Sequence, residues 1–106
     1  MSKYSIIIST FGDKESAKKT AKMLVEQRLA ACVQLFPIES IYLWKDKITE
    51  DDEIVLLIKS KTELFEEITT FIKKNHSYDV PEIIQIPITD GLPQYLNWID
   101  DCVVEK

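Results

Sequence analysis

The chain has 106 residues, of which 45% are hydrophobic and 29% are charged, and its 13 basic and 18 acidic side chains give a formal net charge of −5. This apolar fraction excludes a disordered or collagen-like chain, and no apolar run reaches the ~18 residues that a membrane span needs. The negative charge argues against nucleic acid and anionic lipid as partners, since both bind basic surfaces. We therefore predict one globular domain, residues 1–106, with no nucleic-acid partner and no membrane insertion.

The N-terminal segment predicts the compartment. Met1–Tyr4 leads directly into a strand-like run and lacks the long apolar region of a signal peptide, so we expect a cytoplasmic protein. In that compartment the two cysteines, Cys32 and Cys102, are expected to be reduced thiols rather than a disulfide.

The first half of the chain predicts a strand, a helix and a long hairpin. Residues 4–10 are rich in β-branched side chains and predict the first strand. After Asp13, apolar residues recur three and four positions apart, as on one face of a helix. Residues 31–44 then predict a second strand, Lys45–Lys47 a hairpin turn, and residues 48–59 a third strand.

The second half predicts two helices on either side of a short strand. Ser60 and Glu63 have the spacing of a capping box, so a helix is expected to follow them and to bury Phe65 and Ile68. Residues 76–81 form a loop and residues 82–88 predict the fourth strand. Pro93 suits the first turn of a last helix.

The element order βαββαβ, with a trailing helix, predicts an α+β fold of the ferredoxin-like sandwich type. In that topology the sheet order is 4-1-3-2, so the second and fourth strands lie at the edges. Pro37 and Pro87 fall in these two strands, and proline is tolerated at sheet edges because it lacks a donor for the ladder.

Two features predict a partner for this domain. The strands carry apolar residues on both faces, whereas two main helices cover only one face of a sheet. The hairpin of about thirteen residues per strand extends ~43 Å at roughly 3.3 Å per residue, against a diameter of roughly 33 Å for a compact domain of this length. We expect an obligate homo-oligomer built on sheet faces and hairpin edges.

Few residues suggest catalysis or metal binding. The chain has one histidine and no glycine-rich phosphate loop, CxxC or G-x-S-x-G motif, so we predict that it is not an enzyme. His76 is either a histidine at a helix C-terminus or a metal ligand, and a site between subunits would combine it with Cys32, whose thiol favours copper(I). The acidic run Glu50–Glu53 is either a solvated charge run or a weak site for hard divalent cations.

Four segments in the same order as in one known family resemble the CutA divalent-cation-tolerance proteins. They are Glu26–Val33, Ser40–Trp44, His76–Glu82 and Tyr95–Ile99, and the match runs from about Tyr4 to Asp101. The resemblance implies a ferredoxin-like protomer in a tight homotrimer and a role in tolerance to copper and other divalent cations. Animal members are associated with acetylcholinesterase anchoring, and no enzymatic activity is established for the family.

The resemblance also implies where metal ligands are expected. Bacterial members with proposed copper ligands carry a cysteine near the end of the first strand and a pair of histidines after the second helix. These positions are Ser9, Asn75 and His76 here, so only one of the three implied ligands is present.

Two alternatives stay open. A PII-type signalling trimer shares this protomer fold and would bind a small anionic ligand in clefts between subunits, with Lys59, Tyr95 and Trp98 as candidate residues. Packing within a helix or strand is the more common explanation for such aromatic residues. The other alternative is a structural or protein-anchoring scaffold that binds neither metal nor metabolite.

Overall fold

The computed structural model describes residues 2–105 and confirms the predicted α+β fold. The elements are β1 (Tyr4–Phe11), α1 (Lys14–Glu26), β2 (Cys32–Trp44), β3 (Lys47–Lys61), a 3₁₀ turn (Thr62–Leu64), α2 (Phe65–Asn75), β4 (Ile83–Pro87) and α3 (Pro93–Cys102). The four strands form an antiparallel sheet with the order β2-β3-β1-β4, as predicted, and Pro37 and Pro87 lie in its two edge strands.

One face of the sheet, here called the covered face, packs against α1 and α2. Ile7 of β1 and Ile58 of β3 are paired neighbours on this face, and both are fully buried. Leu24 of α1 and Ile68 and Ile72 of α2 belong to the same core cluster. Burial of such apolar side chains is the main stabilising contribution in a domain of this size.

The turn after α1 links that helix to α3. Arg28 has φ 59°, and the backbone N–H groups of Arg28 and Leu29 donate to the carbonyls of Val25 and Leu24, which is a Schellman motif. The Arg28 side chain donates to the carbonyls of Asp101 and Cys102 at 2.8 and 3.1 Å. A cation at the C-terminal end of α3 is favourable because that end carries partial negative charge.

The capping box expected at Ser60 is wrong. Ser60 is fully buried in β3, and its hydroxyl donates to the carbonyl of Leu29 at 2.6 Å instead of capping a helix. The strand continues to Lys61, and the chain then enters α2 through the 3₁₀ turn, without a side-chain cap. A buried carbonyl without a hydrogen-bond partner would lower stability, and the Ser60 hydroxyl supplies that partner for the carbonyl of Leu29.

The opposite face, here called the open face, is covered by α3 at one end only. Tyr4 donates to Asp100 of α3, and the ammonium groups of Lys61 and Lys3 lie 3.4 and 3.1 Å from the same carboxylate. On β4, the open-face side chains Ile84 and Ile86 are 47% and 45% exposed. Two helices therefore leave apolar strand residues in contact with solvent, as the sequence pattern predicted.

The hairpin of β2 and β3 extends beyond the body of the domain. Its pairing runs without interruption from Cys32 opposite Lys59 to Trp44 opposite Lys47, and the molecule measures 44 × 26 × 22 Å. Lys45 and Asp46 form the turn with φ of 50° and 63°, the geometry of a two-residue hairpin turn. The predicted long hairpin is thus confirmed, and it overhangs the body of the domain.

None of the helices formed by residues 2–105 combines the length and the apolar character that a membrane span requires.

Candidate functional site

A groove of about 760 Å³ lies on the open face, between the hairpin and the loop 76–82 that follows α2. We call it the open-face groove. Its lining combines hydroxyl, aromatic and carboxylate side chains, chiefly Thr10, Tyr42, Asp51, Glu53, Tyr78 and Glu82. Polar groups that converge in a concave site are the usual mark of a binding surface.

The acidic run of β3 is divided between the two faces of the hairpin. Side chains alternate along a strand, so Asp51 and Glu53 point into the groove while Glu50 and Asp52 lie on the other side. Glu50, Asp51 and Asp52 are exposed and Glu53 is half-buried, so most of this run is in contact with solvent.

His76 fastens the loop to the end of β1. Its Nε2 lies 2.6 Å from the carbonyl oxygen of Thr10, which only accepts, so the ring carries its proton on Nε2. Its Nδ1 accepts from the backbone N–H of Tyr78 at 3.1 Å, and its ring stacks on Phe11 with 4.2 Å between centroids. His76 follows the last residue of α2, as predicted, but both of its nitrogens have partners within this chain.

Tyr78 forms one wall of the groove. Its hydroxyl donates to Glu53 at 3.0 Å, and burial together with that carboxylate raises the pKa of Tyr78 to about 12. A Cβ atom at position 12 would come within 3.1 Å of the Tyr78 hydroxyl oxygen, so Gly12 leaves room for the ring. The phenol is thus a neutral donor at neutral pH.

Tyr42 and Asp51 form a similar pair on the hairpin. Tyr42 donates to Asp51, and this hydrogen bond raises the pKa of Tyr42 above its ordinary value of 10. The two tyrosines hold two carboxylates at fixed positions on the groove wall.

The sequence candidates for a ligand cleft lie together at the other end of the open face. The ammonium of Lys59 lies 5.5 Å from the ring centroid of Tyr95, and the Tyr95 and Trp98 rings are 5.5 Å apart. Tyr95 and Trp98 are 38% and 41% exposed. We call these three residues the aromatic ledge.

The two metal-ligand candidates are not brought together in one chain. Cys32 pairs with Lys59 at the start of β2, whereas His76 binds Thr10, whose partner on β3 is Val55, four residues along the strand. Among residues 2–105 there is no group of three or more histidine, cysteine, aspartate or glutamate side chains placed to hold a metal ion. The residues of one chain therefore do not fit a closed metal site.

The positions named by the bacterial ligand pattern are used differently as well. Ser9 is fully buried, and its hydroxyl has no hydrogen-bond partner in the described part of the chain. Asn75 is exposed and donates to the carbonyl of Phe71 at 2.9 Å.

Sequence reasoning missed the groove, because its walls come from residues 25 positions apart, such as Glu53 and Tyr78. Because side chains alternate between the two faces of a strand, the sequence could have placed Asp51 and Glu53 together on one face of the hairpin. The path of the loop that brings in Tyr78 depends on tertiary contacts of His76, for which the sequence carries no local signal.

Residues 5–102 match the family model described as CutA1 divalent ion tolerance protein. The chain belongs to this family. It is 42% identical over 95 residues to the divalent-cation tolerance protein CutA of Thermus thermophilus, covering 89% of this chain and 92% of that protein. The structure of the periplasmic divalent cation tolerance protein CutA from Archaeoglobus fulgidus is similar with a TM-score of 0.93 at 40% identity, covering 95% of this chain and 99% of that one.

Some relatives are considerably longer. The chloroplastic Protein CutA of Arabidopsis thaliana is 43% identical over 95 residues, which is 89% of this chain and 52% of the relative. The chain spans about half the length of that plant protein.

Proposed function

We propose that this chain acts in tolerance to divalent cations as a homotrimer, and that it binds copper or another divalent cation weakly or indirectly. The observation that carries the proposal is the family match over residues 5–102, with relatives named for divalent-cation tolerance. Because residues 2–105 of one chain do not form a closed site, a bound cation would need groups from more than one copy.

Two structural features support assembly. Ile84 and Ile86 are nearly half exposed on the open face, and Ile41 and Ile48 near the hairpin tip are 69% and 74% exposed. An overhanging arm with unpaired strand edges and apolar side chains is an aggregation hazard unless another chain covers it. The number three follows from the resemblance to the CutA family.

The proposal includes a non-enzymatic role in the cytoplasm, without a nucleic-acid partner. His76, the single histidine, is held between Thr10 and Tyr78 rather than beside a cysteine. The net charge of −5 supports the absence of a nucleic-acid partner. The relatives differ in compartment, since one is named chloroplastic and another periplasmic.

A growth assay tests the tolerance role. Cells of the source organism that lack this chain should stop growing at lower copper or zinc concentrations, and expression of the wild-type chain should restore their tolerance. Equal tolerance with and without the chain would overturn the proposal.

Calorimetric titration with copper and zinc tests direct binding on protein purified without a histidine tag. Weak binding that is lost in Cys32→Ala and His76→Gln, but kept in Cys102→Ala, would assign the cation to the predicted residues. Cys102 is the matched control, because it is also a free, half-buried cysteine. Tight binding that both variants retain would contradict the predicted ligands.

A second candidate function is a PII-type signalling trimer that binds a small anionic ligand. The aromatic ledge favours it, because the Lys59 ammonium would attract an anion and the two half-exposed rings could stack on a planar group of the same ligand. A thermal-shift screen with nucleotides and carboxylate metabolites distinguishes the signalling function from the cation-tolerance function. Only the signalling function predicts a rise in melting temperature that Lys59→Met abolishes. A scaffold without a ligand predicts no shift with any metal or metabolite.

A further inference from the structure

The two ends of the open face carry unmatched charges of opposite sign. The open-face groove, at the hairpin end, has no lysine or arginine among its described lining residues but four carboxylates, those of Asp51, Glu53, Asp79 and Glu82. At the other end the Lys59 side chain is half-buried, and no carboxylate among residues 2–105 forms an ion pair with it. Charges that leave water without a counter-charge are costly, so an interface that covers this face has to match them.

These charges cannot meet within one chain. Asp51, Glu53 and Lys59 lie on the same face of β3, because even numbers of residues separate them. Lys59 is six residues from Glu53 and eight from Asp51, which corresponds to about 20 and 26 Å at roughly 3.3 Å per residue. Both distances are far beyond ion-pair contact, so the missing counter-charges belong to another copy of the chain.

Two of the groove carboxylates are held in place with acceptor capacity to spare. Asp51 accepts from Tyr42 through Oδ2, and Glu53 accepts from Tyr78 through Oε2. The remaining oxygen of each carboxylate makes no hydrogen bond within residues 2–105. The tyrosines therefore orient both groups and leave one oxygen of each for an ammonium donor.

The apolar surfaces at the two ends also match. Beside Lys59, the aromatic ledge presents the rings of Tyr95 and Trp98 to solvent. In the groove, Ile41, Trp44 and Val80 are exposed as well. Contact between these two surfaces would remove apolar area from water on both sides, and aromatic side chains contribute much of the energy of such contacts.

A closed ring of three copies fits this arrangement. Each copy in such a ring contacts its two neighbours through two different surfaces, and here the two surfaces lie at opposite ends of one face. The other described lysines at the ledge end are already paired with Asp100, whereas Lys45 and Lys47 lie at the hairpin tip, next to the groove. Lys59 is therefore the cation that this end offers to a neighbour.

We propose that the aromatic ledge of one copy docks into the open-face groove of the next, where Lys59 pairs with the partner's Asp51 and the partner's Glu53. The inference rests on the proposed homotrimer and specifies which surfaces meet in it. Each groove is then completed by a cation and two rings that its own chain does not supply.

A charge exchange on the full chain tests the ion pair. Lys59→Glu and Asp51→Lys should each raise the concentration at which the trimer dissociates by about tenfold or more, because like charges then face each other. The double variant should be at least about fivefold tighter than Lys59→Glu alone, since the pair is restored with its signs reversed. Sedimentation equilibrium over a concentration series measures all three variants.

Lys47→Glu is the matched control, because it makes the same charge change on β3 at the hairpin tip. It should shift dissociation by less than about threefold. If Asp51→Lys rescued Lys47→Glu instead of Lys59→Glu, the hairpin tip would be the occupant of the groove and the proposal would be overturned.

Thiol cross-linking tests the contact with substitutions that leave the charged pair intact. In a Cys32→Ser, Cys102→Ala background, Ser40→Cys lies in the groove, and Gln94→Cys lies one helical turn from Trp98. A short bismaleimide should join these two thiols between copies and give covalent dimers and trimers on denaturing gels. With Lys18→Cys on α1 in place of Ser40→Cys, the chain should remain monomeric on the same gels.

The outcomes separate this inference from the homotrimer itself. A wild-type chain that sediments as a monomer would overturn both. A wild-type trimer without rescue in the charge exchange, or with equal cross-linking of the groove and α1 thiols, would overturn the docking of ledge into groove alone.

Discussion

The two faces of the sheet differ most clearly at their isoleucines. On the covered face, Ile7 and Ile58 are fully buried under α1 and α2, whereas on the open face Ile84 and Ile86 remain almost half exposed. The strands carry apolar side chains on both faces, so the difference comes from the number of helices available to cover them. One face is complete within a single chain, and the other carries both candidate binding sites.

Replacement of Ile58 by alanine should have the largest effect. Ile58 is fully buried in the cluster that includes Leu24 and Ile68, so Ile58→Ala should lower the free energy of unfolding by about 3–4 kcal/mol. Chemical denaturation measures the change, which should not depend on protein concentration. A loss below about 1 kcal/mol would contradict the assignment of the core to the covered face.

The next largest loss of stability is expected at Asp100, which anchors α3 on the open face. Asp100→Asn leaves Lys61, which is 3% exposed, without its paired carboxylate, and should cost about 2 kcal/mol. Lys3→Met removes only the exposed partner of Asp100 and should have a much smaller effect. An equal cost for the two variants would contradict a buried anchor.

The Asp100 anchor should also depend on pH. The hydrogen bond from Tyr4, followed by the interactions with Lys3, lowers the pKa of Asp100 below its ordinary value of 3.8. A carboxylate with a lowered pKa stabilises the fold above its unfolded-state pKa and loses that contribution as pH falls through the folded-state value. The difference between wild type and Asp100→Asn should be constant from pH 5 to 8 and shrink below about pH 4.

Ile86→Ala tests whether another copy covers the open face. Ile86 is 45% exposed in one chain, but burial in an assembly would make its truncation cost about 1–2 kcal/mol, and the melting temperature would then depend on protein concentration. Val25→Ala is the control, because Val25 is 43% exposed on α1 of the covered side. Similar small effects of both variants at every concentration would indicate that solvent reaches Ile86.

Arg28 links the turn after α1 to the end of α3. The difference in stability between two substitutions at this position should be the smallest of these effects. Arg28→Ala and Arg28→Gly both lose the hydrogen bonds to Asp101 and Cys102, but glycine accepts φ of 59° without strain. Arg28→Gly should therefore be more stable than Arg28→Ala by about 1 kcal/mol. Thermal denaturation of both variants measures the difference, and the reverse order would contradict a strained turn.

Much of the fold could be predicted from local sequence patterns. The element order βαββαβ predicts the strand order, the positions of Pro37 and Pro87 agree with it, and strand length predicts a hairpin too long for a compact body. The Schellman turn was not predicted, because Arg28 occupies a position where glycine is the usual signal. The capping box predicted at Ser60 was wrong because only its local spacing fits that motif. The actual hydrogen-bond partner of Ser60 is Leu29, which lies 31 residues away in the sequence.

The candidate sites were predicted less completely. Lys59, Tyr95 and Trp98 were chosen from the sequence and do lie together, whereas Cys32 and His76 lie far apart. The open-face groove depends on the loop that His76 holds against Thr10, which no pattern within the loop predicts.

The molecular mass in solution tests the central claim most directly, namely that the open face and the hairpin arm belong to a homotrimer. Sedimentation equilibrium of the full chain should give about 37 kDa, three times the 12.3 kDa of one chain, down to nanomolar concentration. A stable species of 12.3 kDa would contradict the account, because the apolar open face would then have no partner.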